Sequence, residues 1–192
     1  MPTLTRRTPA ELTVRPWRNG GGVTTELWVS PEGADFDQFL WRVSIATVAA
    51  SGPFSRFEGV DRVIVQLDGP PMTLEHPGGA SHTLAPLRPY AFAGELETAA
   101  TVTGTARDLN LMLRRHARRG TLTVYGPEAS ATLTLDASEG EVLVWLARGA
   151  ATLTLADQSQ HLEAGELAHV AGGLCGLAGA DATLVVVDVR PY

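Results

Sequence analysis

Arg42 and Ser44 stand two residues apart in Trp41-Arg42-Val43-Ser44-Ile45-Ala46, a run that reads as a β-strand. Successive side chains of a strand point to opposite faces, so Arg42, Ser44 and Ala46 share one face while Trp41, Val43 and Ile45 share the other. The same rule groups Arg62, Ile64 and Gln66, and also Asp108, Asn110 and Met112. If the faces carrying Arg42, Arg62 and Asn110 line one cavity, they present two guanidinium forks and an amide to a single guest, with Ser44 and Gln66 beside them. A guanidinium matches a carboxylate through two parallel charge-assisted hydrogen bonds, which suits a dicarboxylate or an acyl-amino acid.

Burying an arginine without an anion is costly, so each one either pairs inside the protein or awaits a ligand. Asp61 or Asp108 could neutralise Arg62, and Glu26 could neutralise Arg42; a ligand pocket and a set of internal bridges both stay open at this point. A rival chemistry is a metal-independent isomerase or hydrolase, with Glu26 or Asp108 as general base beside the arginines. The segment Trp17-Arg18-Asn19-Gly20-Gly21-Gly22 has two readings as well. It closes over the cavity with Trp17 and Asn19 against the guest, or it is a tight turn with Trp17 packed on the core.

Other chemistries find little support. All 15 basic residues are arginines, so there is no lysine for a Schiff base or a phosphate-binding P-loop. His76, His82, His116, His161 and His169 are scattered without ligand spacing. The single cysteine, Cys175, permits neither an internal disulfide nor a multi-thiolate zinc site, as suits a reducing compartment. A net charge of −6 disfavours a nucleic-acid partner, which would need a positive face. No stretch reaches the roughly 18 apolar residues of a membrane span, and the N-terminal residues lack a signal-peptide core. The expectation is a cytoplasmic protein working away from membranes.

The elements that must position these residues are strands. Period-two alternation recurs in Thr24 to Val29, Trp41 to Val48, Arg62 to Leu67, Thr121 to Tyr125, Ala131 to Leu135, Ala151 to Leu155 and Ala182 to Val189. Turn formers such as Gly52-Pro53, Asp68-Gly69-Pro70-Pro71 and Gly172-Gly173 separate them. Helical periodicity is confined to a turn near Thr8 to Leu12. An all-β fold follows. The halves echo each other: Thr73-Leu74 is followed at an offset of 79 by Thr152-Leu153, and His82 by His161 at the same offset. The arginine-rich stretch Arg114 to Gly120 is the expected joint, either a solvated connector or an anion-binding patch.

Five segments carry a more specific signal: Trp17-Arg18-Asn19-Gly20-Gly21-Gly22-Val23-Thr24-Thr25-Glu26, Trp41 to Ala46, Gly52 to Arg62, Phe92-Ala93-Gly94, and Asp108-Leu109-Asn110-Leu111-Met112. In order and spacing they resemble the signatures of the HutD/Ves family, across Trp17 to Arg115. The resemblance implies a bicupin, two tandem jelly-roll β-barrels, with an N-terminal barrel over residues 1–115, a C-terminal one over 120–192, and strands that could be exchanged between them. It also implies a modulator of histidine utilisation, with N-formylglutamate or urocanate-like intermediates as ligands; a homodimer is compatible with it.

Cupin enzymes usually hold a metal through His-x-His, a nearby glutamate and a further histidine. Counting back from Gly69, the glutamate position falls on Arg62 and the histidine positions on Ser55 and Phe57. In the second half only Glu141 and Cys175 stand near the corresponding places. A cation in place of a ligand for a cation leads to the expectation of a metal-free, cofactor-free binding protein rather than an enzyme.

Overall fold

The computed structural model describes residues 1–17, 20–128, 132–179 and 181–192. Strand β1 (Thr3–Arg7) is followed by a short 3-10 helix, Pro9–Glu11, at the expected turn. There the Glu11 carboxylate accepts hydrogen bonds from the Thr8 N–H and hydroxyl, both at 2.7 Å. Ten strands follow: β2 (Thr13–Pro16), β3 (Gly22–Ser30), β4 (Trp41–Val48), β5 (Gly52–Pro53), β6 (Val60–Asp68), β7 (Met72–Glu75), β8 (Ser81–Thr83), β9 (Tyr90–Ala93), β10 (Ala99–Val102) and β11 (Ala106–Arg114). The remainder is β12 (Arg118–Tyr125), β13 (Leu133–Asp136), β14 (Glu141–Arg148), β15 (Ala150–Leu155), β16 (Gln158–Glu163), β17 (Leu167–Ala171), β18 (Leu174–Ala178) and β19 (Thr183–Pro191). The all-β expectation holds, and the strand pairings are antiparallel.

The chain divides into two compact units. One spans Thr13–Ala117; the other combines Met1–Leu12 with Arg118–Tyr192. The N-terminal strand β1 therefore belongs with the C-terminal half, pairing with β17 from Thr3↔Ala171 to Arg7↔Leu167. Arg118 and Arg119, read from sequence as part of a connector, begin β12 and pair with Pro191 and Arg190. The strand extends that far because β19 supplies backbone partners for it, which a count of charges does not reveal.

In the unit of residues 13–117, a six-stranded sheet ordered β2-β3-β4-β11-β6-β9 and a four-stranded sheet ordered β5-β10-β7-β8 share one core. Val48, Ile64, Met72, Leu74, Leu84, Phe92, Ala100 and Ala106 come from both sheets and their connections. A second group, Val29, Phe39, Val60 and Met112, fills the end where Arg42 and Arg62 lie. Each large apolar side chain withdrawn from water here contributes about 1.5–3 kcal/mol, and β4 and β11 are buried on both faces, with Trp41, Val43, Leu109 and Leu111 on the face opposite Arg42 and Met112. The turn from β6 to β7 requires Gly69, at φ +91°, because a Cβ there would meet the Thr105 carbonyl oxygen at 2.5 Å.

The other unit repeats the plan, with sheets ordered β1-β17-β14-β19-β12 and β13-β18-β15-β16. Its core runs from Leu135 through Val144, Leu153, Leu162 and Val170 to Leu184. Cys175 is buried in it, and burial pushes its thiol up to about 11, leaving it protonated and unreactive.

Candidate functional site

Register places the predicted residues on one face of the six-stranded sheet. Partners directly opposite each other in an antiparallel pair project to the same side. Met112 of β11 stands opposite Arg42 of β4 and opposite Arg62 of β6, with Phe92 of β9 beyond Arg62 and Val29 of β3 beyond Arg42. The next row along runs Glu26, Ser44, Asn110, Ile64, Tyr90. A third carries Thr24, Ala46, Asp108 and Gln66. This is the inner face, since Ile64, Met112 and Phe92 belong to the core.

The two arginines are buried, 6% and 5% exposed, but differ in their partners. Arg42 donates from Nε to the Glu26 carboxylate at 2.9 Å and from Nη1 to the Ser44 hydroxyl at 3.3 Å. Of the internal bridges left open by the sequence, this one forms. The two proposed for Arg62 do not. Asp61 pairs instead with Arg115 at 2.8 Å, since it points outward from β6. Among the described residues no carboxylate lies within ion-pair distance of Arg62, whose polar contacts are the Asn110 carboxamide oxygen and the Ser55 carbonyl, both at 3.5 Å.

Aromatic faces surround Arg62 in place of an anion. Its guanidinium carbon lies 4.9 Å from the Phe92 ring centre, 5.2 Å from Phe54 and 5.9 Å from Phe57. Ring faces are weakly negative and hold a cation without neutralising it. Burial brings the Arg62 pKa down to about 10, with Asp108 opposing the shift and Arg42 adding to it, so the group remains charged at neutral pH.

Asp108 is fully enclosed, and its Oδ2 has no hydrogen-bond partner. Burial pushes this carboxyl up to about 7, against the pull of the Arg62 charge. The site thus joins a buried cation without a hydrogen-bonded carboxylate to a buried acid that acts on it through space and can exist in either protonation state.

Gln66 shares the face but is committed elsewhere. Its amide nitrogen donates to the Pro70 carbonyl at 2.6 Å, and its oxygen accepts from the Met72 N–H at 3.2 Å, bracing the β6–β7 turn. Trp17 packs against the core and donates its indole N–H to the Thr24 hydroxyl at 2.7 Å. Asn19 lies outside the described residues.

Sequence reasoning missed the rim. The connection after β3 carries Phe36, whose ring centre is 5.0 Å from the Arg42 guanidinium carbon and 5.4 Å from the Phe57 ring. Beside these two rings a cavity of about 400 Å³ opens, lined also by Asp37, Ser55, Arg56, Glu58, Val60 and Arg114. Arg114 and Arg115, first read as connector, both work in this unit: Arg115 joins Asp61 to Glu95, and Arg114 reaches loop carbonyls. The segment Gly52 to Arg62 already stood out in the sequence, whereas the loop after β3 was marked only by Phe36 and Phe39. His76 lies behind Phe92, held by the Thr98 hydroxyl at 3.0 Å and the Tyr90 hydroxyl at 3.1 Å. Among the described residues no three His, Cys, Asp or Glu side chains gather as a metal-binding set.

Fold and site together define an all-β protein whose inner sheet face presents a buried, aromatic-flanked guanidinium. The chain belongs to the HutD family, whose model matches residues 9–185. It is similar over 98% of its length to 99% of a conserved protein of unknown function from Pseudomonas aeruginosa, at 28% identity and a TM-score of 0.89. HutD from Pseudomonas fluorescens, in a formate condition, is similar at 25% identity and a TM-score of 0.85, covering 99% of this chain and 100% of that one. Protein Ylba from Escherichia coli shares the fold at 13% identity, with a TM-score of 0.73 over 96% of this chain and 90% of its own.

Proposed function

We propose that this chain is a binding protein associated with histidine utilisation, taking a small acidic metabolite of the N-formylglutamate or urocanate kind in a metal-free site. The observation that carries this reading is Arg62, buried yet without a carboxylate among the described residues. A guest carboxylate would supply the missing charge through the guanidinium fork, with Asn110 alongside and the phenyl rings excluding water. Arg42, fixed by Glu26 and Ser44, adds positive potential from the same row. The reading includes a double jelly roll acting in the cytoplasm, alone or as a homodimer, without nucleic acid or membrane. Family membership and the likeness to HutD from Pseudomonas fluorescens support the association with histidine utilisation.

Titration calorimetry with N-formylglutamate and urocanate tests the reading. Saturable binding is expected, weakened about 100-fold or more in Arg62→Ala, as for other truncations within buried charge pairs. Equal affinity in a folded Arg62→Ala protein would rule it out.

One observation favours a second reading, a metal-independent isomerase or hydrolase. The Asp108 carboxyl, held near 7, is suited to proton transfer at neutral pH, whereas Glu26 is occupied by Arg42. Turnover of either compound by the purified protein, lost in Asp108→Asn, would establish that activity; its absence would remove the reading.

A further inference from the structure

The rim of the site consists of two loops with no strand pairing between them. One follows β3 and carries Phe36; the other follows β5 and carries Phe54 and Phe57. Short loops without ladder bonds open easily unless something ties them down. Apolar support comes from Phe57, which packs with Ala34 on the cluster of Val29, Phe39, Val60 and Met112. Each loop is also tied to its own surroundings, the first by the Leu40 N–H on the Ser30 carbonyl at 2.7 Å and the second by the Phe54 and Phe57 N–H groups on the Thr98 and Gly94 carbonyls, both at 2.8 Å. The side chain that reaches both loops is that of Arg114.

Arg114, the last residue of β11, points its guanidinium at both loops. Nη2 donates to the carbonyls of Phe36 at 3.2 Å and Asp37 at 3.1 Å, and Nη1 to the carbonyl of Glu58 at 3.2 Å. Nε faces the Phe39 carbonyl at 3.5 Å, and the guanidinium carbon lies 5.0 Å from the Phe39 ring. A planar fork with five N–H groups can serve acceptors on two loops at once; an ammonium on a flexible stem is a single point of attachment. The partners are backbone carbonyls, so the contact fixes the path of the loops directly.

We propose that Arg114 is the positioning residue of the anion site, tying together the loops whose rings, Phe36 and Phe57, roof Arg42 and Arg62. The inference deepens the anion-binding reading and rests on it. The part of Arg114 is to hold the roof closed when the guest is bound. It also explains why Arg62 is enclosed although Phe36 itself is half exposed to solvent.

The test uses the whole, ligand-free protein and phenylglyoxal, which modifies accessible guanidinium groups. The modification rate of Arg62 is followed by peptide mass spectrometry, beside hydrogen exchange in residues 31–40 and 54–59. In Arg114→Ala and Arg114→Lys the Arg62 rate is expected to rise about tenfold or more, the scale of a local opening made more frequent. Exchange in both loops should rise with it, while Met72–Glu75 stays protected. Arg115→Ala, which removes a neighbouring cation and its ion pairs with Asp61 and Glu95, should leave the Arg62 rate unchanged.

Arg114→Lys is decisive if Arg114→Ala fails to fold. A folded lysine variant with Arg62 as slow as in the wild type would overturn the proposal, showing that charge or apolar packing holds the roof. The two ideas fail separately. Absence of N-formylglutamate and urocanate binding by the wild type would sink the anion reading, while unchanged Arg62 reactivity would sink the brace.

Discussion

Arg42 and Arg62 flank Met112 in one row of the sheet, and only Arg42 touches a carboxylate. In the folded chain Glu26 offsets one buried cation, while the other is left to aromatic rings and long polar contacts. Function and stability therefore oppose each other at Arg62.

Replacing Arg62 by methionine should not destabilise the protein. The apolar side chain fits among Phe54, Phe57 and Phe92 and removes a desolvated charge, for an expected gain of up to about 2 kcal/mol. Urea denaturation at pH 7 measures it; a loss of stability would show that the rings and Asn110 already compensate the charge.

Breaking the Arg42–Glu26 pair should have the opposite effect. Glu26→Gln leaves the Arg42 guanidinium buried without its carboxylate, and because Glu26 is partly exposed the loss should be about 1–3 kcal/mol. A double-mutant cycle with Arg42→Met isolates the coupling. A coupling near zero would mean that solvent screens the pair.

Asp108 contributes a pH dependence of its own. Its folded-state pKa is raised, so the native state binds a proton that the unfolded chain releases above about 4. The stabilising contribution is complete below that value and is lost as pH rises to about 7, beyond which it is constant. Asp108→Asn should flatten this decline and be the more stable protein above pH 7, by on the order of 1–4 kcal/mol. Thermal unfolding from pH 4 to 8 gives the comparison, and parallel profiles for the two proteins would show that Asp108 titrates normally.

Gln66 offers a control on the same inner face. Because its amide closes the β6–β7 turn, Gln66→Leu should cost about 1–3 kcal/mol of stability by leaving turn carbonyls and the Met72 N–H unpaired. Ligand affinity measured by calorimetry should remain within about twofold, a difference smaller than 0.5 kcal/mol. A large loss of affinity at unchanged stability would place Gln66 in the pocket instead.

The faces of β4, β6 and β11 were legible in the sequence because strand geometry has a period of two and the polar residues obey it: Arg42 with Ser44, Arg62 with Gln66, Asp108 with Asn110. The same alternation identified the all-β class, since burial rewards it wherever one face turns inward. Local patterning cannot say which carboxylate meets which guanidinium. Glu26 was a candidate partner for Arg42, and Asp61 or Asp108 for Arg62; the register brought Glu26 beside Ser44 and turned Asp61 outward to Arg115. Nor could it foresee that Gln66 would be used by its own turn, that Arg118 and Arg119 would begin a strand, or that Arg114 would reach loops 56 to 78 residues earlier in the chain. Side-chain alternation is a property of a few consecutive residues, whereas ion pairing, desolvation and loop bracing depend on distances between segments remote in sequence, and those are decided only when the sheets close around their core.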